Sequence, residues 1–336
     1  MHPENRFWDD LPVERISARD ETELAARLPA RGALILQHTK LSEKTAEALS
    51  EKHFLAGFAH LPMHQRAPGW LSHCALVLTV SRYCIDLLNR AGVRNIYPEP
   101  MYGVADPARG NPAALIVARS EYQWDRRKLR DVTLGALEPV AALFRRKRSF
   151  EKRSRLTLGI VSQIAPIKQF PLLFASLAPV LARHDVNLEI FGAGGYAQVR
   201  DLKRALAPIR RRTRFWGFQP DVAAVYPKLD YLLTGLPEKE ALGLNVLESQ
   251  ICGTPVLAPN APPFTETVAH KQTGFLYPDP RSDGGKGFES LLKEILGGQA
   301  RPDPRRAADH LAQFSYAALV ERTRRLLDYL RTRMPA

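Results

Sequence analysis

The sequence predicts an α/β protein built from two Rossmann-like domains that face a cleft. Short apolar runs alternate with helical patterns along the chain, which is typical of mainly parallel sheets covered by helices. The alternation occurs twice, and a basic stretch at 108–154 separates the two halves. With 336 residues, 45% of them hydrophobic, the chain is long enough to bury two cores of ordinary size.

The first half, residues 1–107, predicts a small N-terminal domain. Its strands are predicted at 33–38, 54–60, 75–81 and 94–100, and its helices at 41–53 and 82–92. Gly92 is a natural stop for the second helix, because glycine readily adopts the left-handed conformation that ends helices. Residues 108–154 follow as a basic segment and linker, with a helical pattern over 121–147.

The second half, residues 155–312, predicts a larger domain with the same alternation. Its strands are predicted at 155–163, 186–195, 212–218, 230–237, 255–259 and 273–278, and its helices at 170–184, 220–229 and 243–252. A last helix in 313–336 closes the chain, and we expect it to pack back on the N-terminal domain. Ligands of such sheets bind at the carboxyl ends of the strands, so the cleft between the domains is the expected site.

The net charge of +13 is concentrated in short basic runs such as 126–128, 145–148 and 210–214. Such runs attract phosphorylated ligands or an anionic membrane face, and a solvated arginine-rich surface explains them equally well. Aromatic residues make up 8% of the chain and do not alternate with the basic ones. No base-stacking platform is therefore indicated, and nucleic acid is not an expected partner.

The remaining composition argues against several other classes. No apolar run approaches the ~20 residues of a membrane-spanning helix, and the first residues predict no signal peptide. Three cysteines without CxxC spacing indicate neither a disulfide framework nor a zinc site. No Asp-x-Asp pair or histidine cluster has metal-binding spacing, so no metal cofactor is expected. We expect a cytoplasmic protein, in peripheral contact with the inner membrane face.

The stretch EALGLNVLES carries two glutamates eight positions apart. In the predicted helix, Leu244, Leu247 and Ile251 recur at helical spacing and define a buried face, and Glu248 falls beside it. A buried carboxylate without partners is costly, so something polar must meet it. A ligand that offers hydroxyl groups and a neighbouring arginine are both consistent with the residues alone.

An anion site is predicted where the same helix begins. Gly243 lets the backbone approach a ligand closely, and the amides of Leu244 and Asn245 have no partner within the helix. Lys168 stands at the start of another helix, where a positive charge is unfavourable because this end of the helix dipole is also positive. The unfavourable interaction disappears if the lysine and the helix start bind the same anion. A diphosphate would satisfy the lysine and the helix end together, whereas the alternative is a solvated lysine.

Two further candidates lie at predicted strand ends. GAGGYA, residues 192–197, fits the G-x-G-x-x-[GA] pattern of nicotinamide enzymes. It follows the second strand of its half and lacks a clear acidic partner, so we interpret it as a tight strand exit near a nucleotide. His60 ends the strand in FAHLPMH, where it can face the cleft or be satisfied inside its loop; His64 follows in the same loop.

From about residue 155 to 280 the chain resembles the retaining GT-B glycosyltransferases of glycosyltransferase family 4. Glu240 and Glu248, within EALGLNVLESQICGTPVLA, match the Glu-x7-Glu motif of that family. SQIAPIK is similar to its GR…PxK segment, EIFGAGG to its GxGP turn, FWGF to its FxG strand and TETVAHKQTGFLYP to its PExVxxGxxGxLxP segment. Fainter similarity in FAHLPMH, TVSRYCIDLLNRAGV and EPMYGVAD extends the resemblance over most of the chain.

This resemblance implies transfer of a sugar, with retained anomeric configuration, from a nucleotide sugar to a saccharide, lipid-linked or protein acceptor in glycan or cell-surface polysaccharide synthesis. Glu240 and His60 would then be catalytic, and Glu248 would bind the nucleotide ribose. The other donor-binding candidates are Gln163, Lys168, Gly194, Phe218, Leu242, Gly243, Leu244 and Asn245. The donor is a substrate, and the resemblance implies no cofactor or metal.

Three departures from the family keep other functions open. Gln163 replaces the arginine that usually accompanies Lys168, APPF replaces a glycine-rich turn before Glu266, and the N-terminal domain is shortened. One alternative is a non-catalytic subunit that binds a partner protein through the short domain. The other is a sugar-nucleotide epimerase, for which His60, Glu240 and Glu266 are the plausible acid and base groups.

Overall fold

The computed structural model describes residues 18–64, 67–105, 110–125, 129–144 and 148–334. They form two parallel sheets, one of three strands in the N-terminal half and one of six in the C-terminal half. The two predicted Rossmann-like units are therefore present, and the first is the smaller. Residues 1–17 and the basic residues 126–128 and 145–147 lie outside the described residues.

The N-terminal sheet is parallel, with its strands in sequence order. Its elements are α1 (Glu21–Arg27), β1 (Leu34–Gln37), α2 (Glu43–Ser50), β2 (Phe54–Ala59), β3 (Leu76–Thr79) and α3 (Arg82–Arg90). The strand predicted at 94–100 is wrong, because only Ile96 forms a bridge, to Val77. Pro98 and Pro100 follow it, and proline lacks the amide donor that a longer ladder requires.

The C-terminal sheet is doubly wound. Its strands are β4 (Leu156–Val161), β5 (Val186–Phe191), β6 (Thr213–Gly217), β7 (Tyr231–Leu233), β8 (Val256–Pro259) and β9 (Gly274–Tyr277). All pairs are parallel, in the spatial order β6-β5-β4-β7-β8-β9. The order reverses between β4 and β7, and ligands of such sheets bind at this reversal.

The helices of the second half are α4 (Leu129–Phe144), α5 (Phe170–Ala182), α6 (Tyr196–Ala205), α7 (Val222–Val225), α8 (Leu244–Ile251), α9 (Phe264–Thr267), α10 (Pro280–Asp283), α11 (Lys286–Leu296), α12 (Ala308–Ala312) and α13 (Tyr316–Arg333).

The buried face predicted for α8 needs correction. Leu247 is buried beside Val246, Ser249 and Gln250, whereas Leu244 is 46% exposed. As the first residue of α8, Leu244 projects toward the N-terminal domain instead of into the core.

The helix predicted over 121–147 starts only at Leu129. Among the described residues ahead of it, 119–123 pair with the exits of β5 and β6. The Arg119 amide donates to the carbonyl of Trp216 (2.9 Å), and the Gln123 amide donates to that of Gly194 (2.8 Å). Backbone pairing with open strand ends thus overrides the local helical preference, and it brings the linker to the edge of the cleft.

The last helix returns to the N-terminal domain. Leu326 and Leu330 of α13 are buried in one apolar cluster with Leu76 and Leu78 of β3 and with Tyr97. The chain therefore crosses between the domains twice, and α13 completes an apolar cluster of the N-terminal sheet.

Candidate functional site

A cleft of about 940 Å³ lies between the two sheets at the carboxyl ends of their strands. Apart from Gly194, every residue predicted as a site residue lines it: His60, Gln163, Lys168, Phe218, Glu240, Leu242, Gly243, Leu244, Asn245 and Glu248. The N-terminal domain contributes Phe58, Met101 and Tyr102 to the opposite wall, and the linker contributes Gln123. The structure thus brings these separate sequence positions together at one place.

The glycine-rich exit of β5 forms part of the cleft floor, but not through Gly194. The Gly194 amide donates to the carbonyl of Glu121 (3.0 Å), so this glycine is held under the linker. Gly192 lines the cleft instead, and a Cβ added there would lie 1.9 Å from the carbonyl oxygen of Ser162. Glycine is therefore required for the close approach of the β4 and β5 exits.

A lysine, a carboxylate and a helix start meet at the switch point. Lys168 ends a short 3₁₀ turn before α5, and its ammonium group donates to Glu240. The other carboxylate oxygen of Glu240 accepts from the amide of Gly243 (3.1 Å), whose φ of +83° turns the chain into α8. The two charged side chains are only 20% and 16% exposed, so the pair is shielded from solvent.

Glu248 is held by a tyrosine. The hydroxyl of the fully buried Tyr226 donates to its carboxylate (2.8 Å). Burial raises the pKa of Glu248, and the hydrogen bond from Tyr226 opposes this only in part. Because the carboxylate also lines the cleft, it can accept further hydrogen bonds from a ligand. Sequence analysis did not identify Tyr226, which lies on a different element.

His60 forms a pair with a histidine that the sequence analysis did not identify. Nδ1 of His38, after β1, lies 2.8 Å from Nε2 of His60, after β2. Phe58 stacks on His60 with ring centroids 4.4 Å apart. Burial, followed by the neighbouring His38, lowers the pKa of His60. The lowered pKa favours the neutral form of this imidazole, which lines the cleft.

Glu266 connects the two domains. From α9 its carboxylate accepts from the amides of Arg82 (2.9 Å) and Tyr83 (3.4 Å) at the start of α3. The hydroxyl of Tyr102 donates to the same carboxylate, and burial together with this bond raises the pKa of Tyr102. The carboxylate thus caps a helix of the opposite domain and joins the two walls of the cleft.

The position of Gln163 carries no positive charge. Its side-chain amide donates to that of Gln123 on the linker (3.2 Å), and Lys168 is the only lysine or arginine among the described residues that line the cleft.

Within the described ranges, no group of three or more His, Cys, Asp or Glu side chains could hold a metal ion. No helix in the described part of the chain is long and apolar enough to cross a membrane.

Residues 143–299 match the family described as Glycosyl transferases group 1. The chain is 28% identical over 211 residues to a D-inositol 3-phosphate glycosyltransferase of Rhodococcus opacus, an alignment that covers 56% of this chain and 47% of the relative. It is 31% identical over 140 residues to an alpha-monoglucosyldiacylglycerol synthase of Streptococcus pneumoniae, which covers 40% of this chain and 31% of the relative. The chain thus spans less than half the length of these two relatives.

Two solved structures show the same fold. Sucrose-phosphate synthase from Thermosynechococcus elongatus superposes with a TM-score of 0.63 at 16% identity, over 89% of this chain and 74% of that one. Anabaena HepE in complex with UDP-glucose superposes with a TM-score of 0.57 at 17% identity, over 88% of this chain and 78% of that one. The chain therefore has the predicted GT-B fold, and residues 143–299 are the part of it that matches group 1 glycosyltransferases.

Proposed function

We propose that this GT-B protein is a retaining glycosyltransferase that moves a sugar from a nucleotide donor to a saccharide, lipid-linked or protein acceptor in glycan or cell-surface polysaccharide synthesis. The observation that carries the proposal is the convergence of Lys168, Glu240 and the start of α8 in the same cleft as the half-buried Glu248. A nucleotide sugar offers phosphate oxygens to Lys168 and to the amides at the start of α8, and it offers hydroxyl groups to Glu248. The match of residues 143–299 to group 1 glycosyltransferases supports it.

The donor diphosphate would lie at the switch point. Lys168 and the amides of Leu244 and Asn245 provide positive charge and hydrogen-bond donors there. Glu248 would accept from the ribose hydroxyls, and these charge-assisted hydrogen bonds offset the cost of its burial. The neutral Gln163 amide can donate to a phosphate oxygen, although without a full charge. Because these groups stabilise the diphosphate, the proposed reaction uses no metal.

Catalysis would come mainly from stabilising the departing nucleotide. As charge develops on the leaving phosphate, Lys168 and the helix amides are already in place, and such preorganised groups give large rate effects. Glu240 would face the donor sugar from one wall, and His60 would face the acceptor from the other. The leaving phosphate itself would help to remove the acceptor proton on the same face, which retains the configuration.

Donor turnover with a panel of nucleotide sugars tests this proposal. Glu240→Ala should lower turnover about 100-fold or more, and calorimetry should show that it still binds a nucleoside diphosphate. Glu238→Gln is the matched control, because this half-buried glutamate pairs with Arg281 and does not line the cleft; it should retain full turnover. Equal turnover of wild type and Glu240→Ala would remove Glu240 from catalysis.

The same calorimetry tests a non-catalytic role. The three-stranded N-terminal sheet and the uncharged Gln163 favour a partner subunit as the second candidate. A subunit of this kind would bind no nucleoside diphosphate as an isolated chain and would co-purify with another protein.

For the proposed glycosyltransferase we propose a cytoplasmic location with peripheral contact to an anionic membrane.

A further inference from the structure

A buried glutamine lines the cleft just after β6 ends. Gln219 is only 5% exposed, and its side-chain nitrogen donates to the main-chain carbonyls of Trp216 (2.8 Å) and Val117 (2.9 Å). Both amide hydrogens are therefore used. The opposite orientation of the amide would place its oxygen against two carbonyl oxygens, so the surroundings fix which end of this side chain is the oxygen.

The side-chain oxygen of Gln219 has no donor within the described part of the chain. Gln219 lines the cleft, and its Oε1 is not among the polar side-chain atoms that are sealed from solvent. The oxygen therefore reaches the open cleft, where this side chain can accept a hydrogen bond but can donate none. A buried acceptor held in one orientation is typical of a site that recognises a donor group on its ligand.

The groups around this oxygen suit a flat, uncharged ring. The neighbouring Phe218 also lines the cleft and is 58% exposed. Val222, three positions after Gln219, adds apolar surface to the cleft, and Gly192 and Ala193 at the exit of β5 add no side chain larger than a methyl group. Nucleobases combine a face that stacks on exposed aromatic rings with a polar edge, and this part of the cleft offers a partner for each.

The sheet order separates this part of the cleft from the groups proposed to hold the diphosphate. β6 is an edge strand, three positions from β7 in the order β6-β5-β4-β7, which is ~14 Å at the usual strand spacing of ~4.8 Å. Lys168 follows β4, and Glu240 follows β7. Glu248, the proposed ribose acceptor, accepts from Tyr226, which lies one turn after Val222. A nucleotide with its diphosphate at the switch point would therefore extend its base toward the exit of β6.

We propose that Gln219 is a specificity-determining residue, which reads the nucleobase of the donor by accepting an N–H group of the base edge through Oε1 while Phe218 stacks on the ring. The inference rests on the nucleotide-sugar donor of the proposed function and adds how its base is selected. Uracil and guanine can supply a ring N–H, and adenine and cytosine can supply an exocyclic amine. A base that presents a lone pair to Oε1 leaves two acceptors unpaired and binds more weakly.

Calorimetry of the full chain with UDP, GDP, ADP and CDP tests the proposal. Wild type should bind the preferred nucleotide at least about tenfold more tightly than the weakest one. Gln219→Met keeps the length of the side chain but removes the acceptor, so it should weaken the preferred nucleotide about tenfold and narrow the spread of Kd values. Phe218→Leu is the matched control. It removes stacking, which every base offers, so it should weaken all four nucleotides by similar factors and leave the spread unchanged.

Methylated nucleotides test the same hydrogen bond without a change to the protein. Methylation of the N–H that the preferred base offers, at the ring nitrogen of uracil or guanine or twice at the exocyclic amine of adenine or cytosine, should weaken binding to wild type about tenfold or more. The loss should be smaller in Gln219→Met, because a flexible thioether requires no N–H. Thermal melting shows whether Gln219→Met retains the fold; if it does not, the methylated nucleotides decide with wild type alone.

Three results would overturn the role of Gln219 while nucleotide binding itself stood. They are equal affinity of wild type for all four nucleotides, a spread of Kd values that Gln219→Met leaves unchanged, and a methylated nucleotide that wild type binds as tightly as its parent. Binding of none of the four nucleotides would instead remove the proposed donor, and the base reader with it.

Discussion

Replacing Glu248 by glutamine should separate stability from nucleotide binding. Glu248→Gln keeps the shape of the side chain and an oxygen that accepts from Tyr226, but it removes the charge. Burial raises the pKa of the carboxyl group above its ordinary value of 4.5, so folding disfavours the ionised form. The stability that the protonated carboxyl provides is present below pH 4.5 and is lost as the pH rises through the raised pKa. Glutamine does not titrate, so the variant should avoid this loss.

For nucleotide binding the expected change is unfavourable. Hydrogen bonds to a carboxylate contribute ~1.5–3 kcal/mol each, and neutral ones contribute about half as much. Exchanging one charged acceptor for a neutral one should therefore cost about 1.4 kcal/mol, which is about tenfold in the Kd of a nucleoside diphosphate. Glu248→Ala should bind more weakly still. It also leaves the buried hydroxyl of Tyr226 without its acceptor, which costs ~1–3 kcal/mol of stability.

Thermal melting and calorimetry at about pH 5 and pH 8 check both parts. Without ligand, Glu248→Gln should melt above wild type at the higher pH and by a smaller margin at the lower one, whereas Glu248→Ala should melt below wild type. Both should bind UDP more weakly. A glutamine variant that binds UDP as tightly as wild type would refute the role of this carboxylate as a ribose acceptor. One that melts below wild type at the higher pH would refute the argument from burial.

Three other substitutions test the packing that positions the site. Glu189→Gln should lower the free energy of unfolding, measured in urea, by ~3–5 kcal/mol, because this fully buried carboxylate neutralises Arg153 and Arg214. The control Glu321→Gln changes an exposed carboxylate and should lower it by under ~1 kcal/mol. Equal losses in the two variants would contradict the reasoning. Gly192→Ala should lower the melting temperature, since its Cβ would overlap the Ser162 carbonyl; an unchanged melt would show that the strand exits can separate freely. Glu266→Gln should speed hydrogen exchange of the first amides of α3, which it caps; unchanged exchange would argue against the cap.

The sheets were largely predictable because their strands are apolar runs bounded by glycine, proline or charged residues. β4 and β5 lie within a few residues of their predicted positions. Helix α6 escaped prediction because YAQVRDLKRA is polar and buries only Val199 and Leu202. The helix predicted from residue 121 is absent over 121–125, because partners distant in sequence, the exits of β5 and β6, determine the backbone there.

The site was predictable where local geometry fixes it. Lys168 and Glu240 lie just before the starts of α5 and α8, and Glu248 lies one turn into α8; a doubly wound sheet gathers such helix starts at one edge. Tyr226 and His38 were missed because their pairing with Glu248 and His60 depends on how separate elements pack. Neither partner belongs to a local sequence pattern.

The return of α13 to the N-terminal domain has a consequence for biosynthesis. Leu76 and Leu78 emerge from the ribosome well before the two leucines that cover them, Leu326 and Leu330. The first domain therefore cannot complete its core until α13 has been made, unlike a domain that folds as soon as its own residues are synthesised. Until α13 emerges, the nascent chain carries an open apolar sheet face, so stop codons ahead of α13 should yield a protein that chaperones retain.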